Sequence, residues 1–110
     1  MSSFREMRMI VIFDLPTKTD NDKREYRRFR KNLLKEGFIM IQFSVYSRFC
    51  RNDTEYAKYV RKIKKVAPKT KGEIRIIGLT EKQYEKMHLI SSKRKTDEEL
   101  LGISPLIVIE

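Results

Sequence analysis

Residues 38–49 read FIMIQFSVYSRF, a stretch rich in aromatic and β-branched side chains. This composition is typical of β-strands, and the stretch is longer than an average strand. It predicts either one bent strand or a hairpin that turns around residues 42–44. Because a helix is predicted on each side of it, this stretch lies at the middle of the expected fold.

The helix before this stretch begins at Thr19, which together with Asp22 matches a capping box. It continues to about residue 36, where Gly37 is suited to the position after a helix. At about 100° per residue, its apolar side chains fall on one arc that should face a sheet. These side chains are Tyr26, Phe29, Leu33 and, less centrally, Leu34.

The helix after the stretch can be capped by Asn52 or Asp53, and Pro68 ends it. Its apolar side chains again recur at helical spacing, which predicts one buried face. They are Tyr56, Val60, Ile63 and Ala67.

Two further strands are predicted outside the helices. Residues 7–13 (MRMIVIF) form an apolar run stopped by Pro16, and residues 73–79 (EIRIIGL) alternate in polarity. Thr80 and Gln83 match another capping box, which predicts a short helix after the last strand. The element order indicates a ferredoxin-like βαββαβ sandwich of the α+β class, with both helices on one sheet face. We expect this domain to occupy residues 1–90.

The C-terminal residues 91–110 do not fit this pattern. Residues 91–99 are polar and predict a connector, whereas residues 105–109 (PLIVI) return to apolar β character. The final strand can complete its own sheet or cross to the exposed sheet edge of a partner subunit. We therefore expect this segment to take part in docking of a second copy or another partner.

The charge balance points to a polyanionic partner. The chain has 110 residues, with 25 Lys and Arg against 15 Asp and Glu, giving a net charge of +10. Nucleic acid is favoured over an anionic membrane, because no apolar run has the length of a spanning helix and no signal peptide is evident. We expect a cytoplasmic protein. One Cys and one His exclude a conventional nitrogen and sulfur metal site, so a metal would be held by oxygen ligands.

Basic residues on the first helix are the main candidates for phosphate contact, because they lie on the arc opposite the apolar side chains. They are Arg24, Arg27, Arg28, Lys31 and Lys35. The alternative is an ordinary solvated face, but almost no acid accompanies these cations. A second basic cluster, between residues 58 and 71, is weaker evidence. Tyr46 and Arg48 should share the more polar face of their strand, as surface residues or as contacts to the nucleic-acid backbone.

Asp14 is the candidate for metal binding and catalysis. It follows a buried strand, where a carboxylate can hold a hard cation such as Mg²⁺. The alternative is that Asp14 only caps the turn before Pro16. No second acid can be paired with it by inspection, although two-fold symmetry could bring two copies of Asp14 together. His88 and Cys50 are expected to be structural.

Three segments resemble a known family: residues 7–17 (MRMIVIFDLPT), 26–48 (YRRFRKNLLKEGFIMIQFSVYSR) and 71–87 (KGEIRIIGLTEKQYEKM). The sequence resembles the small CRISPR-associated adaptation protein, the second of the two spacer-acquisition proteins, and is most similar to members from Cas9-type systems. The resemblance implies a ferredoxin-like homodimer with stacked sheets and C-terminal strands exchanged or packed across the dimer. It also implies a role bridging the adaptation integrase and carrying a DNA fragment. Many members are described as metal-dependent nucleases, with Asp14 here in the position of the Mg²⁺ ligand.

Two functions are therefore expected to compete. The first is a dimeric scaffold that binds double-stranded DNA and the CRISPR adaptation integrase for spacer acquisition. The second is a Mg²⁺-dependent endonuclease, acting on RNA or DNA through Asp14. An RNA-binding module of the same fold is a third possibility, but the aromatic signature motif of the RNA-recognition module is absent from the sequence.

Overall fold

A computed structural model describes residues 5–69, 71–91 and, for the backbone only, 108–109. The strands are β1 (Met7–Asp14), β2 (Ile39–Gln42), β3 (Val45–Cys50), β4 (Glu73–Thr80), β5 (Leu89–Ile90) and β6 (Val108–Ile109). The helices are α1 (Asp20–Lys35), α2 (Asp53–Val66) and α3 (Glu81–Glu85). The four longer strands form one sheet in the order β2-β3-β1-β4, in which every neighbouring pair is antiparallel. This order confirms the ferredoxin-like α+β prediction.

The local signals at the helix ends are confirmed. The Thr19 side chain accepts from the Asp22 amide while the Asp22 carboxylate accepts from the Thr19 amide, which satisfies free N–H groups at the start of α1. Gly37 follows the helix with φ of +89°, a conformation that glycine adopts without steric cost. Asn52 caps α2, and Ala67 is extended ahead of Pro68 as expected for a residue before proline.

Residues 38–49 form a hairpin rather than a bent strand. Strand β2 ends at Gln42, β3 begins at Val45, and Phe43 and Ser44 make the turn between them. The register shifts between Met40 and Gln42, as in a β-bulge. The sequence left both possibilities open because the turn contains neither Gly nor Asn, the usual markers of a tight hairpin.

The core lies between the sheet and the two long helices. Met9, Val11 and Phe13 of β1 alternate toward the helices and are almost fully buried. The ring of Phe13 packs edge-on against Phe29 of α1, with centroids 5.0 Å apart, and stacks on Tyr46 of β3 at 5.7 Å. The described core cluster is completed by Leu33, Phe38, Cys50, Tyr59 and Ile63.

Two expectations about residue orientation are wrong. Tyr46 does not lie on a polar strand face, because it is opposite Val11 in the sheet and shares the helix-covered side, where it is 1% exposed. Leu34 does not face the sheet and is 43% exposed. The helix buries a narrower arc, centred on Phe29 and Leu33, than the apolar pattern suggested.

Among the residues that the structure describes, only α3 covers the opposite face of the sheet, and it does so at one end. Tyr84 of α3 lies over Ser47, and their hydroxyl oxygens are 3.3 Å apart. Arg8 forms a bidentate salt bridge with Glu81, with both hydrogen bonds 2.9 Å long, and this contact fixes α3 to β1. Beyond α3, toward the other end of the sheet, Ile77 of β4 is 43% exposed.

The predicted connector and C-terminal strand fall mostly outside the described residues. Strand β6 pairs in parallel with β5 of the same chain and not with the four-stranded sheet. Crossing of this strand to a partner subunit, and the division of the chain at residue 90, stay predictions.

Candidate nucleic-acid interface and carboxylate site

The predicted basic face of α1 is solvent-exposed along its whole length. Its five cations are Arg24, Arg27, Arg28, Lys31 and Lys35. The buried residues Phe29 and Leu33 hold the opposite side of the helix against the sheet, so the cations project away from the core. A strong field of one sign therefore covers the outer side of α1.

The five cations differ in how they are engaged. Arg28 pairs with Glu25 at 2.9 Å and also donates to the backbone carbonyl of Val66 at 3.3 Å, which connects α1 to the end of α2. Arg24 donates to the Asn21 side chain at 3.5 Å. No ion pair holds the other three within the described part of the chain; these are Arg27, Lys31 and Lys35. They are the cations best placed to meet an external phosphate.

Glu25 does not neutralise this face. The hydrogen bond from Arg28 holds the pKa of the Glu25 carboxyl below its usual value, and the charges of Arg28 and Arg24 act in the same direction. One carboxylate at the edge of α1 thus compensates a single charge among the five cations of this face.

Helix α2 presents a second row of cations next to the first. Lys62 pairs with Glu36 at 3.0 Å, and together with the contact of Arg28 to Val66 this sets the two helices antiparallel and side by side. The remaining cations of α2 are exposed; they are Lys58, Arg61, Lys64 and Lys65.

Arg48 lies in a different environment from the α1 cations. Its guanidinium donates to the carbonyls of Glu36 and Phe49, at 2.8 and 2.6 Å, and to the Tyr59 hydroxyl at 2.7 Å. It lies 3.8 Å above the Tyr59 ring centroid and 3.6 Å from Glu55, with 22% of its side chain exposed. The face expected to be polar is thus covered by α2, and Arg48 joins β3 to both helices. Its predicted contact with DNA stays a prediction.

Asp14 ends β1 on the sheet face that the long helices leave free. It follows the buried Phe13 and therefore points to the opposite side, where it is exposed. Its partner across the sheet is Glu73, whose carboxylate pairs with Arg75 at 2.8 Å. Gly72 holds this corner tightly, because a Cβ at Gly72 would lie 2.8 Å from the Asp14 carbonyl oxygen.

The donor chemistry at Asp14 suits Mg²⁺ only in part. Carboxylate oxygens are the ligands that Mg²⁺ prefers, and it commonly binds through one or two carboxylates while keeping several waters. Within residues 5–69 and 71–91, no group of three or more His, Cys, Asp or Glu side chains is close enough to enclose an ion. Asp14 would therefore hold such an ion mainly with water, and Glu73, its partner across the sheet, is a second carboxylate on the same face.

One exposed aromatic residue was missed from the sequence. Phe43 is 76% exposed at the tip of the β2–β3 hairpin. The alternative of a hairpin around residues 42–44 already placed Phe43 in a turn, but no functional role was assigned to it. The signal was therefore the predicted turn itself, since a side chain at the tip of a hairpin is exposed.

The fold and these residues define a basic ferredoxin-like domain with a cationic helix layer on one side of the sheet and an exposed carboxylate on the other. Residues 7–87 match the family model described as CRISPR associated protein Cas2. The chain belongs to the Cas2 family.

Named relatives agree with this assignment. The chain is 48% identical over 88 residues to the CRISPR-associated endoribonuclease Cas2 of Ligilactobacillus salivarius, covering 80% of this chain and 86% of the relative. It is 46% identical over 90 residues to the protein of the same name from Streptococcus mutans serotype c strain UA159, covering 82% of each. Among the described helices, none has the length and apolar character needed to cross a membrane.

Proposed function

We propose that this protein is a homodimeric scaffold that binds double-stranded DNA through its helix layer and bridges the integrase during CRISPR adaptation. The observation that carries the proposal is the exposed α1 face, on which Arg27, Lys31 and Lys35 have no carboxylate partner among the described residues. Each cation that meets a phosphate releases counterions, which is the main source of affinity for duplex backbone.

The charge pattern favours recognition of backbone over recognition of base sequence. Lys and Arg dominate the outer side of both helices, and such contacts fix position on a duplex without reading base edges. Because α1 and α2 lie antiparallel and side by side, these cations form one broad layer. Such a layer suits a DNA duplex, whose phosphates are regularly spaced.

The homodimer part of the proposal rests on the sheet face opposite α1 and α2, which the described residues cover only where α3 lies. Apolar residues of three strands meet on that face: Ile12 is opposite Val45 on one side, and Ile10, itself only 5% exposed, is opposite Ile77 on the other. Ile77 is 43% exposed in the single chain, so stacking of a second sheet would remove apolar surface from water. The same stacking would bring the two copies of Asp14 to a shared face.

The test is a salt titration of duplex binding. The triple variant Arg27→Gln, Lys31→Gln, Lys35→Gln removes three charges without touching the Arg28 contact to α2. A matched control removes three exposed charges elsewhere, by Lys71→Gln, Lys82→Gln and Lys86→Gln. Each lost phosphate contact lowers the log–log salt slope by about 0.9, so the α1 variant should lose roughly 2.7 and the control much less. Equal slopes for wild type and the α1 variant would reject the proposal.

A Mg²⁺-dependent endonuclease centred on Asp14 is the second candidate function. It is favoured by the names of the relatives, which are called endoribonucleases, and by the exposed position of Asp14 at the end of β1. The metal would supply a nucleophilic water and charge stabilisation for phosphodiester cleavage. The comparison of wild type with Asp14→Asn on RNA and DNA, over a range of Mg²⁺ concentrations and pH, separates this function from scaffolding.

A further inference from the structure

The hairpin turn between β2 and β3 carries a large aromatic side chain into solvent. Phe43 is 76% exposed, although turns of this kind usually hold small or polar residues that adopt unusual backbone angles at little cost. The neighbouring Ser44 has φ of +62°, which is uncommon for a residue other than glycine. An exposed ring next to a residue in a sparsely populated backbone conformation is a reason to look for a function.

The ring of Phe43 is held in a defined orientation. One of its faces stacks on Tyr26 of α1, with centroids 6.1 Å apart and planes 21° from parallel. The Tyr26 hydroxyl shares a hydrogen bond of 2.9 Å with the Ser44 hydroxyl, and the Ser44 carbonyl accepts from the Phe13 amide at 3.1 Å. The turn is therefore tied to α1 and β1, which leaves the other side of the Phe43 ring available.

Two cations neighbour Tyr26 along α1. Lys23 and Arg30 stand three residues before and four residues after Tyr26, so they share its side of α1, and both are exposed. Arg30 also lies close to Tyr46: burial raises the pKa of the Tyr46 hydroxyl, and the Arg30 charge opposes that rise. A ring face bordered by positive charge suits a ligand that is aromatic and anionic.

We propose that Phe43 stacks against an unpaired nucleobase of a single-stranded nucleic acid whose phosphates contact Lys23 and Arg30. This inference rests on the proposed nucleic-acid binding and adds a site for bases to it. Bases inside a duplex already stack on both neighbours, whereas an unpaired base has a free face. A second copy of the chain is a poorer occupant, because the proposed dimer uses the opposite face of the sheet, whereas this ring stacks on Tyr26 of α1.

The test measures binding of single-stranded DNA and RNA that contain 2-aminopurine, a base whose fluorescence falls on stacking. Phe43→Ala and Phe43→Leu should weaken single-strand binding by roughly 5- to 100-fold and remove the quenching. Leu34→Ala is the matched control, because it removes an exposed apolar side chain of α1 and should leave both signals unchanged.

Phe43→Trp adds an independent readout. The chain contains no Trp, so the new indole is a unique reporter at the turn. This variant should keep single-strand affinity, and its emission should be quenched by single strands and much less by a blunt duplex.

Three results would overturn the inference. Wild-type affinity in Phe43→Leu would mean that the aromatic face is not used, and an equal loss of duplex binding in Phe43→Ala would mean that the site does not select unpaired bases. Conversion of a dimer to a monomer in Phe43→Ala, seen by light scattering, would make the turn a contact between copies. Failure of the proposed duplex binding would appear separately, as the absence of salt-dependent duplex affinity in the wild type.

Discussion

Replacement of Arg48 by lysine should destabilise the protein while keeping its charge. The planar guanidinium reaches two backbone carbonyls and the Tyr59 hydroxyl at the same time and stacks on the Tyr59 ring. An ammonium on a lysine stem is a compact point charge and cannot reproduce this geometry.

The expected size follows from the contacts that are lost. Hydrogen bonds to a charged group are each worth roughly 1.5–3 kcal/mol, and the side chain is partly solvated at 22% exposure, so Arg48→Lys should cost about 2–3 kcal/mol. At this chain length that loss corresponds to a fall in Tm of about 8–12 °C.

The assay is urea unfolding at one fixed protein concentration, because the stability of a dimer depends on concentration. Arg51→Lys is the matched control: Arg51 also pairs with Glu55, at 3.3 Å, but is 75% exposed, and its change should stay within about 0.5 kcal/mol of wild type. If Arg48→Lys is as stable as wild type and instead loses DNA affinity, Arg48 is a phosphate ligand and the structural reasoning fails.

Three further predictions concern the corner at Asp14 and the start of α2. Asp14→Asn should abolish any Mg²⁺-dependent cleavage and leave duplex affinity unchanged, as measured by cleavage and filter binding; loss of duplex affinity would contradict this. Gly72→Ala should destabilise the fold by about 1–3 kcal/mol, because Gly72 has φ of +131° and the added Cβ would approach the Asp14 backbone. Unfolding in denaturant tests this prediction, and an unchanged free energy of unfolding would refute the close approach. The pKa of the Glu55 carboxyl is lowered, first by the hydrogen bond from the Arg51 amide. Ionised Glu55 therefore stabilises the fold above the pKa of the unfolded state, and this stabilisation is lost as pH falls through the folded-state pKa. Glu55→Gln should therefore be less stable than wild type near pH 7, and the difference should disappear in acid.

The element order was predictable because local signals agree with the final packing. The caps at Thr19, Asn52 and Thr80 are all formed as the sequence indicates, since capping depends on residues within one turn of the helix. The choice between hairpin and bent strand was not predictable, because the hydrogen bond that supports the positive φ of Ser44 comes from Tyr26 in another element. Tertiary contacts decide such turns.

The candidate site was predictable in its residue types and less so in its individual members. The α1 cations are exposed as expected, because charge on the outer side of an amphipathic helix follows from periodicity alone. Arg48 illustrates the limit of that reasoning. A guanidinium can be drawn into the interior when carbonyls, a hydroxyl and an aromatic ring meet it there, and none of those partners is its near neighbour in sequence except Phe49.

The two candidate functions use opposite sides of one sheet. The side chains of Phe13 and Asp14 alternate, so the first anchors the cationic helix layer and the second belongs to the uncovered face. A duplex lying across α1 would contact the helices, whereas a metal at Asp14 would lie near the surface on which a second sheet would stack. Substitutions on the outer side of α1 should thus change salt-dependent affinity without changing cleavage per bound substrate, and Asp14→Asn should do the reverse. A variant of Arg27, Lys31 and Lys35 that loses cleavage even at saturating substrate would place the two functions in one site.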